Sequence, residues 1–372
     1  MKKAMAGTMA MMMAAAALTG CGSSSGTAAA TTAAAAETEK AAETTAAAEA
    51  ETKAADGESK IYKVGILKYM DHPSLNQIEE NVCQELDALS ADGVTYEYKD
   101  YDLNGQGDAS VLNQMAAQLI ADGVDAIVPI ATPAAQIVQS ATEGQNLPIV
   151  FSAVSDPVSA NLVASMDEPG ANITGTSDFL NTNAIMDLML AANPDTKYVG
   201  LLYSKSEDSS TAPIADAKAY LDEKGIKYIE KTGTSTDEVS QAVDALIAEG
   251  VDAIFTPTDN TIQKAELAFY EKLQDAGIPH YAGADSFALN GAFVGYGVDY
   301  ENLGKATADM VAEILDKGAD PAKTAVETFD NGIATINTDT CEKLGLKLDD
   351  VKAAFEPLCT QIVETTTQQS FN

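Results

Sequence analysis

Short apolar segments alternate with helical patterns from residue 61 onward. Residues 61–67 form an apolar run typical of a strand, and the next apolar positions repeat at the spacing of one helix face: Leu75, Ile78, Val82, Leu86 and Leu89. A strand over 94–98, a helix over 109–121 and a strand over 124–130 follow in the same way. Alternating strands and helices are typical of a parallel sheet covered by helices, so the pattern predicts an α/β fold.

The α/β pattern occurs twice along the chain. Residues 120–127 (IADGVDAI) match residues 247–254 (IAEGVDAI) at seven of eight positions. Three shorter matches occur in the same order: 63–67 with 198–202, 93–96 with 225–228, and 147–148 with 278–279. Four matches in register predict two similar Rossmann-like lobes, because two copies are too few for a solenoid.

The repeat also predicts where the lobes begin and end. We expect lobe one to comprise residues 61–178 plus about 298–322, and lobe two to comprise residues 179–297 plus about 323–372. A helix over 303–315 has no repeat partner and is expected to cross back onto lobe one. Several crossings between two lobes form a multi-strand hinge.

The first 60 residues have the composition of export and tether segments rather than of a fold. Lys2 and Lys3 precede a short Met/Ala-rich apolar run that ends in LTGC at residues 18–21, which resembles a bacterial lipobox. Residues 1–20 are therefore expected to be a lipoprotein signal peptide, with Cys21 lipidated. Residues 21–60, rich in Ala, Thr and Glu, are expected to form a disordered tether. The alternative is a cleaved secretory signal followed by a chance cysteine.

Composition excludes several classes of protein. The chain has 372 residues and a formal net charge of -34, which repels phosphate backbones and argues against nucleic acid as a partner. Its two histidines offer little material for a His-rich metal site or a His-paired nucleophile, so we expect no metal and no cofactor. Outside the cytoplasm Cys341 and Cys359 are able to pair, and the sequence leaves this open.

Hydroxyl, amide and carboxylate side chains follow the predicted strands, where ligands of parallel α/β sheets bind against helix N-termini. The candidate ligand-binding residues are Pro73, Ser74, Thr132, Ser152, Ser155 and Asp156 in lobe one, and Tyr203, Glu207, Ser210, Thr258, Asp259, Asn260 and Asp285 in lobe two. Taken singly, Thr132 and Asp156 precede prolines and are typical of ordinary helix N-caps. Together, such groups suit a ligand with both a carboxylate and an ammonium, such as an amino acid.

Three motifs are specific in combination: ATPAAQ at 131–136, FSAVSDPV at 151–158 and PTDN at 257–260. With HPSL at 72–75 and NITG at 172–175, they resemble the tryptophan/tyrosine-type ABC transporter substrate-binding proteins over about residues 61–346. The resemblance implies a periplasmic-binding-protein type I fold, a ligand in the cleft, and delivery to a permease and its ATPase. By that resemblance the best cleft residues are Thr132, Ser152, Asp156, Asp259, Asn260 and Asp285. Residues 204–210 depart from the family pattern, which leaves ligand identity open.

The leading hypothesis is a monomeric, lipid-anchored, extracytoplasmic receptor that captures a small solute. An amino acid is the expected class of solute, and aromatic amino acids are among the candidates. The same cleft would serve a ligand-sensing subunit of a signalling receptor. A secreted hydrolase ranks lower, because the sequence holds no GxSxG, HExxH or Walker-type motif. A cytoplasmic repressor of this fold type conflicts with the export signal and lacks the DNA-binding helices.

The lipobox makes a direct prediction. Replacing the acceptor thiol by Cys21→Ala removes the atom to which the lipid is attached, so this variant should appear as uncleaved or soluble protein. Cell fractionation followed by immunoblotting measures its distribution. Membrane retention equal to that of the wild type would refute lipidation at Cys21.

Overall fold

The computed structural model of the protein describes residues 59–329 and 331–369. The expected signal peptide, Cys21 and nearly all of the expected tether lie outside the described residues. Within the described ranges, no helix is both long enough and apolar enough to cross a membrane.

The described residues contain fourteen strands and eleven α-helices. The strands are β1 Lys60–Lys68, β2 Val94–Glu97, β3 Asp102–Asn104, β4 Ala126–Ile130, β5 Ile149–Phe151, β6 Ile173–Ser177, β7 Tyr198–Tyr203, β8 Lys227–Thr232, β9 Ala253–Thr256, β10 His280–Ala282, β11 Val294–Gly297, β12 Glu327–Thr328, β13 Ile333–Asn337 and β14 Gln361–Thr365. The helices are α1 Pro73–Leu89, α2 Ala109–Ala121, α3 Thr132–Ala141, α4 Thr182–Ala192, α5 Thr211–Lys224, α6 Thr236–Glu249, α7 Asn260–Ala276, α8 Asp285–Leu289, α9 Tyr300–Leu315, α10 Thr338–Lys343 and α11 Leu348–Phe355.

The strands form two seven-stranded sheets. The first has the order β12-β6-β5-β4-β1-β2, with β3 also paired to β1, and the second has the order β14-β13-β11-β10-β9-β7-β8. All pairs in the first sheet are parallel, and in the second only β11 and β13 run antiparallel. The predicted α/β fold of two parallel-sheet lobes flanked by helices is confirmed.

The chain passes from one lobe to the other three times: after β6, between β11 and α9, and after β12. Helix α9 leaves the second sheet and packs along α1 and against β5 and β6 of lobe one. The sequence predicts that lobe two resumes at about residue 323, but β12 pairs with β6 in the first sheet. The chain therefore returns to lobe two only after residue 328, and a two-residue strand is too short to show any periodicity that would reveal this.

The parallel direction of the strands brings their carboxyl ends to one edge of each sheet. In lobe one β1, β4, β5 and β6 end beside one another, so the residues that follow them share that edge. Cys341 is buried in the core of lobe two, and both Cys341 and Cys359 are free thiols in the structure.

Close packing of α9 on α1 depends on Gly304. A Cβ atom at this position would lie 2.7 Å from the carbonyl oxygen of Ile78 and 3.0 Å from Cβ of Asn81. The two helices therefore approach to a distance that leaves no room for a side chain at this point.

Gly304→Val should therefore destabilise the protein by about 1–3 kcal/mol through overpacking. Urea unfolding of the ligand-free protein measures this free energy. Asp309→Val places the same side chain at an exposed position of the same helix and should have a much smaller effect. Equal losses in the two variants would show that helix propensity, rather than the contact with α1, sets the cost.

Candidate functional site

A cavity lies between the two lobes at the carboxyl ends of their strands. The space between the protein atoms there amounts to about 380 Å³, part of it open to solvent. Lobe one contributes His72, Ser74, Leu75, Ala131, Thr132, Ala153, Ser155, Asp178 and Tyr300, and lobe two contributes Ser209, Thr258, Asp259, Asn260, Gln263, Ala284, Ser286 and Phe287. The wall therefore combines hydroxyl, amide and carboxylate groups with two large aromatic side chains.

Three hydrogen bonds join the lobes around this cavity. His72 Nε2 lies 3.1 Å from Asn260 Oδ1, and Ser74 Oγ donates to Asp285 Oδ1 at 2.8 Å. Gln136 Nε2 donates to Asp208 Oδ2 at 2.7 Å. Because each bond connects one lobe to the other, this is a closed arrangement of the lobes.

Helices α1 and α3 begin at the cavity without a side-chain cap. His72 and Ala131 are the residues before their first turns, and neither side chain accepts a hydrogen bond from the helix that it precedes. The equivalent helix of lobe two, α7, is capped, because Asp259 Oδ1 accepts from the Ile262 N–H at 2.9 Å. Free N–H groups and the partial positive charge of a helix N-terminus suit an anionic group. Lobe one therefore has helix N-termini that are free for an anion, whereas in lobe two the Asp259 carboxylate already occupies the N-terminus of α7.

Two alanines at the cavity have left-handed backbone conformations. Ala131 has φ 81° and Ala153 has φ 54°, and residues other than glycine rarely adopt such positive φ angles. The Ala131 N–H donates to Ser152 O at 2.9 Å, which ties the two strand ends together. Strained backbone of this kind is concentrated at functional sites in proteins.

Asp259 is buried and occupied by protein donors. Its Oδ2 accepts from the Ser204 N–H at 2.6 Å and from Ser210 Oγ at 2.7 Å, in addition to the cap bond at Oδ1. Burial raises the pKa of Asp259 to about 6 despite these donors. Asp259 therefore organises the loops of lobe two and has little capacity left for a ligand.

Glu207 lies in the same buried network. Asn260 Nδ2 donates to Glu207 Oε2 at 3.0 Å, and Thr261 Oγ1 donates to Oε1 at 3.1 Å. Burial and then the charge of Asp259 raise the pKa of Glu207 to about 8. Glu207 thus positions Asn260 at the edge of the cavity, while its own side chain stays behind it.

Asp178 is a carboxylate of the cavity lining that can accept further hydrogen bonds. It follows β6, and among the described residues Ser155 is the only side chain that donates to it, with Ser155 Oγ at 2.9 Å from Oδ1. Burial raises the pKa of Asp178 to about 6, so the group is largely ionised at neutral pH. Asp178 is not among the residues predicted from the sequence, because the polar and small residues of 172–178 resemble a linker between the lobes, whereas 173–177 form the buried strand β6.

The predicted site residues divide into two groups. Those that line the cavity are Ser74, Thr132, Ser155, Thr258, Asp259 and Asn260. Those outside its lining are Pro73, Ser152, Asp156, Tyr203, Glu207, Ser210 and Asp285. Of these, Glu207, Ser210 and Asp285 hold lining residues through hydrogen bonds.

Three predicted residues lie away from the cavity for identifiable reasons. Ser152 is buried within lobe one, with its Oγ 2.8 Å from Thr307 Oγ1 of α9. Asp156 begins a turn rather than a helix, and its Oδ1 accepts from the Ser159 N–H at 2.9 Å. The Tyr203 hydroxyl donates to Glu230 Oε2 at 2.7 Å. Ser152 and Asp156 follow β5, and Tyr203 is the last residue of β7, but each side chain bonds within its own lobe.

Three buried polar atoms of cavity residues have no hydrogen-bond partner among the described residues. These atoms are His72 Nδ1, Gln263 Oε1 and Ser286 Oγ. An unpaired buried polar atom costs about 1–3 kcal/mol, and native structures contain few of them. Their concentration at one cavity indicates that a ligand supplies the missing partners. The repeat offered a signal for Gln263, because it is the counterpart of Gln136.

The described residues contain no group of three or more His, Cys, Asp or Glu side chains arranged to hold a metal ion.

Two α/β lobes, joined by three crossings and closed over a polar cavity at their strand ends, define a two-lobed solute-binding protein. The chain belongs to the ABC transporter substrate binding protein family, which matches residues 63–355. The resemblance inferred from ATPAAQ, FSAVSDPV and PTDN is thereby confirmed. Substrate-binding proteins of ABC transporters are extracytoplasmic.

Individual relatives agree with this assignment. A tyrosine-binding protein of Clostridioides difficile is 30% identical over 308 residues, which are 81% of this chain and 87% of the relative. The crystal structure of an ABC domain in complex with L-Trp from Streptococcus pneumoniae is 34% identical, with a TM-score of 0.74 and coverage of 82% of this chain and 100% of that chain. These homologues are solute-binding proteins, which confirms the prediction of a receptor rather than an enzyme.

A third relative bears on the conformation. The ligand-free, open structure of a substrate-binding protein with adhesive properties from Clostridium difficile is 29% identical and covers 82% of this chain and 100% of its own. Its TM-score is 0.62, below the 0.74 of the L-Trp complex. The greater similarity to a ligand complex agrees with the hydrogen bonds that close the lobes here.

The buried carboxyl of Glu207 predicts how stability depends on pH. Its pKa of about 8 in the folded protein exceeds the ordinary value of 4.5, so the folded state retains a proton that the unfolded state has lost between these values. The free energy of unfolding should therefore fall as pH rises through this window, by at most about 1.4 kcal/mol per pH unit from this group.

Glu207→Gln should flatten that dependence, because the amide stays neutral. Urea unfolding of the ligand-free protein at about pH 5, 6.5 and 8 measures the slope. Glu143→Gln, which changes an exposed carboxyl, should keep the wild-type slope. A slope unchanged by Glu207→Gln would mean that Glu207 is ionised in the fold.

Proposed function

We propose that the protein captures an aromatic L-amino acid in the interlobe cavity and delivers it to an ABC importer. The observation that carries this proposal is the pairing, in one closed cavity, of the buried carboxylate Asp178 with the uncapped N-termini of α1 and α3. These groups have opposite electrostatic character. They match the two charged groups that every free amino acid has next to each other.

The ligand carboxylate would bind at the helix N-termini. Prolines at the starts of α1 and α3 fix the first turns, and the next free N–H groups belong to Ser74 and Leu75 in α1 and to Thr132 and Ala134 in α3. The hydroxyls of Ser74 and Thr132 stand at the same ends and line the cavity. Such N–H and O–H donors stabilise an anion through charge-assisted hydrogen bonds.

The ligand ammonium would bind at Asp178. Asp259 already accepts hydrogen bonds from three protein donors. Asp285 accepts a hydrogen bond from the Ser74 hydroxyl and does not line the cavity. Asp178 has one such donor, Ser155, and it lines the cavity. An ammonium also compensates the desolvation of this buried carboxylate.

Apolar side chains of both lobes complete the cavity. Leu75 and Tyr300 of lobe one face the same space as Phe287 and Ala284 of lobe two. An aromatic ring buries a large apolar area and pairs with other rings at their faces or edges. The tyrosine-binding and L-Trp-bound relatives support the aromatic class of ligand.

The finer features of the hypothesis rest on the sequence. We propose a lipid anchor on Cys21, a tether over residues 21–60, a signal peptide over 1–20 and a monomeric binding unit. The permease would receive the ligand from the closed form, since closure alone brings surfaces of both lobes together.

The test is isothermal titration of the mature domain with L-tyrosine, L-tryptophan and L-phenylalanine, after unfolding and refolding to remove carried-over ligand. At least one should bind. Asp178→Asn keeps an acceptor for Ser155 but removes the charge, so it should weaken binding by about tenfold to a hundredfold. Asp167→Asn, at an exposed position of lobe one, is the matched control and should bind as the wild type does.

A ligand without the ammonium isolates the role of Asp178. The deaminated analogue of tyrosine, 3-(4-hydroxyphenyl)propionate, should bind the wild type more weakly than tyrosine does and should not be weakened by Asp178→Asn. If Asp178→Asn weakened both ligands equally, the carboxylate would not be the ammonium partner. If none of the amino acids bound the wild type, the proposed function would be wrong.

A further inference from the structure

The orientation of His72 is fixed by a chain of hydrogen bonds that begins in lobe two. Asn260 Nδ2 donates to Glu207 Oε2 at 3.0 Å, which turns the amide of Asn260 so that its Oδ1 faces His72. A carbonyl oxygen only accepts, so His72 Nε2 must carry the hydrogen of this 3.1 Å bond. In a neutral imidazole the other nitrogen, Nδ1, is then an acceptor.

His72 remains a neutral imidazole at physiological pH. Burial, assisted by the nearby charge of Lys68, lowers its pKa to about 4, against the opposing effects of Asn260 and Asp71. Its Nδ1 is buried and unpaired, and His72 lines the cavity. In the closed protein the His72 imidazole therefore has a defined tautomer, and its Nδ1 is a hydrogen-bond acceptor in the ligand site.

Gln263, like His72, has an unpaired hydrogen-bond acceptor at the cavity. Its Nε2 donates to Ser286 O at 3.2 Å and to Asn290 Oδ1 at 2.7 Å, which leaves Oε1 as an unpaired acceptor. Asn290 is held in turn, because its Nδ2 donates to Gln368 O at 3.1 Å. Besides Asp178, the proposed ionic partner of the ammonium, the cavity residues therefore hold two fixed acceptors for donors of the ligand, His72 Nδ1 and Gln263 Oε1.

We propose that His72 Nδ1 accepts a hydrogen bond from the side chain of the ligand, so that His72 selects tyrosine or tryptophan over phenylalanine. The inference rests on the proposed function and deepens it. A phenol O–H and an indole N–H are both donors, whereas the phenylalanine ring has none. Phenylalanine would leave Nδ1 buried without a partner, and a site built to hydrogen-bond a ligand group discriminates strongly against an analogue that lacks it.

The experiment compares three ligands of similar shape: L-tyrosine, L-phenylalanine and 4-fluoro-L-phenylalanine, with L-tryptophan as the second donor. The refolded wild type should bind the tighter of tyrosine and tryptophan about tenfold to a hundredfold more tightly than either phenylalanine. His72→Phe removes the acceptor at similar size and should reduce this preference to less than about threefold. His72→Asn places an amide near the position of Nδ1 and should retain part of the preference.

Gln136→Ala is the matched control. It breaks the bond between the lobes to Asp208 and changes no residue of the cavity lining, so it should weaken all ligands by the same factor and preserve their ratios. Circular dichroism and thermal unfolding establish that each variant is folded.

Two results would overturn the inference while the proposed function stands. One is a wild type that binds 4-fluoro-L-phenylalanine as tightly as tyrosine and tryptophan. The other is a His72→Phe variant that weakens every ligand by one common factor, which would limit His72 to closing the lobes through Asn260. Failure of all amino acids to bind the wild type would instead refute the proposed function, and this inference with it.

Discussion

The closed structure depends on satisfying the polar groups that are buried where the lobes meet. Carboxyls, amides and an imidazole all lose their contact with water there, and each must find a partner within the protein or in the ligand. Asp259 and Glu207 are satisfied by their own lobe, whereas Asp285 and Asn260 are satisfied across the cavity. The remainder, chiefly Asp178, His72 and Gln263, is the part that a ligand must complete. A ligand that makes hydrogen bonds to these groups stabilises the closed form relative to an open form, in which water makes the same hydrogen bonds.

The two lobes repeat the same set of strands and helices, and small differences between them shape the site. Thr132 and Asp259 occupy equivalent positions 127 residues apart, as the repeats at 120 and 247 show. In lobe two the aspartate caps its own helix, and in lobe one the helix end stays open. Two identical lobes would have presented the same charge from both sides. The asymmetry leaves helix N–H donors free in lobe one, whereas the corresponding helix of lobe two is already capped by its own aspartate.

The sequence predicts the frame better than the site, for a physical reason. Apolar periodicity reports the core directly, and the helix predicted from the apolar positions Leu75 to Leu89 spans Pro73–Leu89 in the structure. Polar residues at strand ends are equally visible, but the sequence does not reveal which way each side chain turns. Ser152 follows β5 and Tyr203 ends β7, and both bond within their lobes. Asp178 follows β6, a strand whose Thr and Gly residues resemble a linker. The buried polar atoms without a hydrogen-bond partner mark the site most clearly, and only the three-dimensional structure reveals which atoms these are.

Recognition of the ligand divides between the lobes in a way that couples specificity to closure. Asp178 and the ends of α1 and α3 belong to lobe one, so the charged groups common to all amino acids can be bound before the lobes meet. His72 also belongs to lobe one, but Asn260 of lobe two fixes its tautomer. A free imidazole exchanges its tautomers, so the acceptor that would test the side chain is defined only when the lobes close. A ligand without a matching donor would then bind lobe one yet fail to hold the closed form, and discrimination would act on the conformation that the transporter receives.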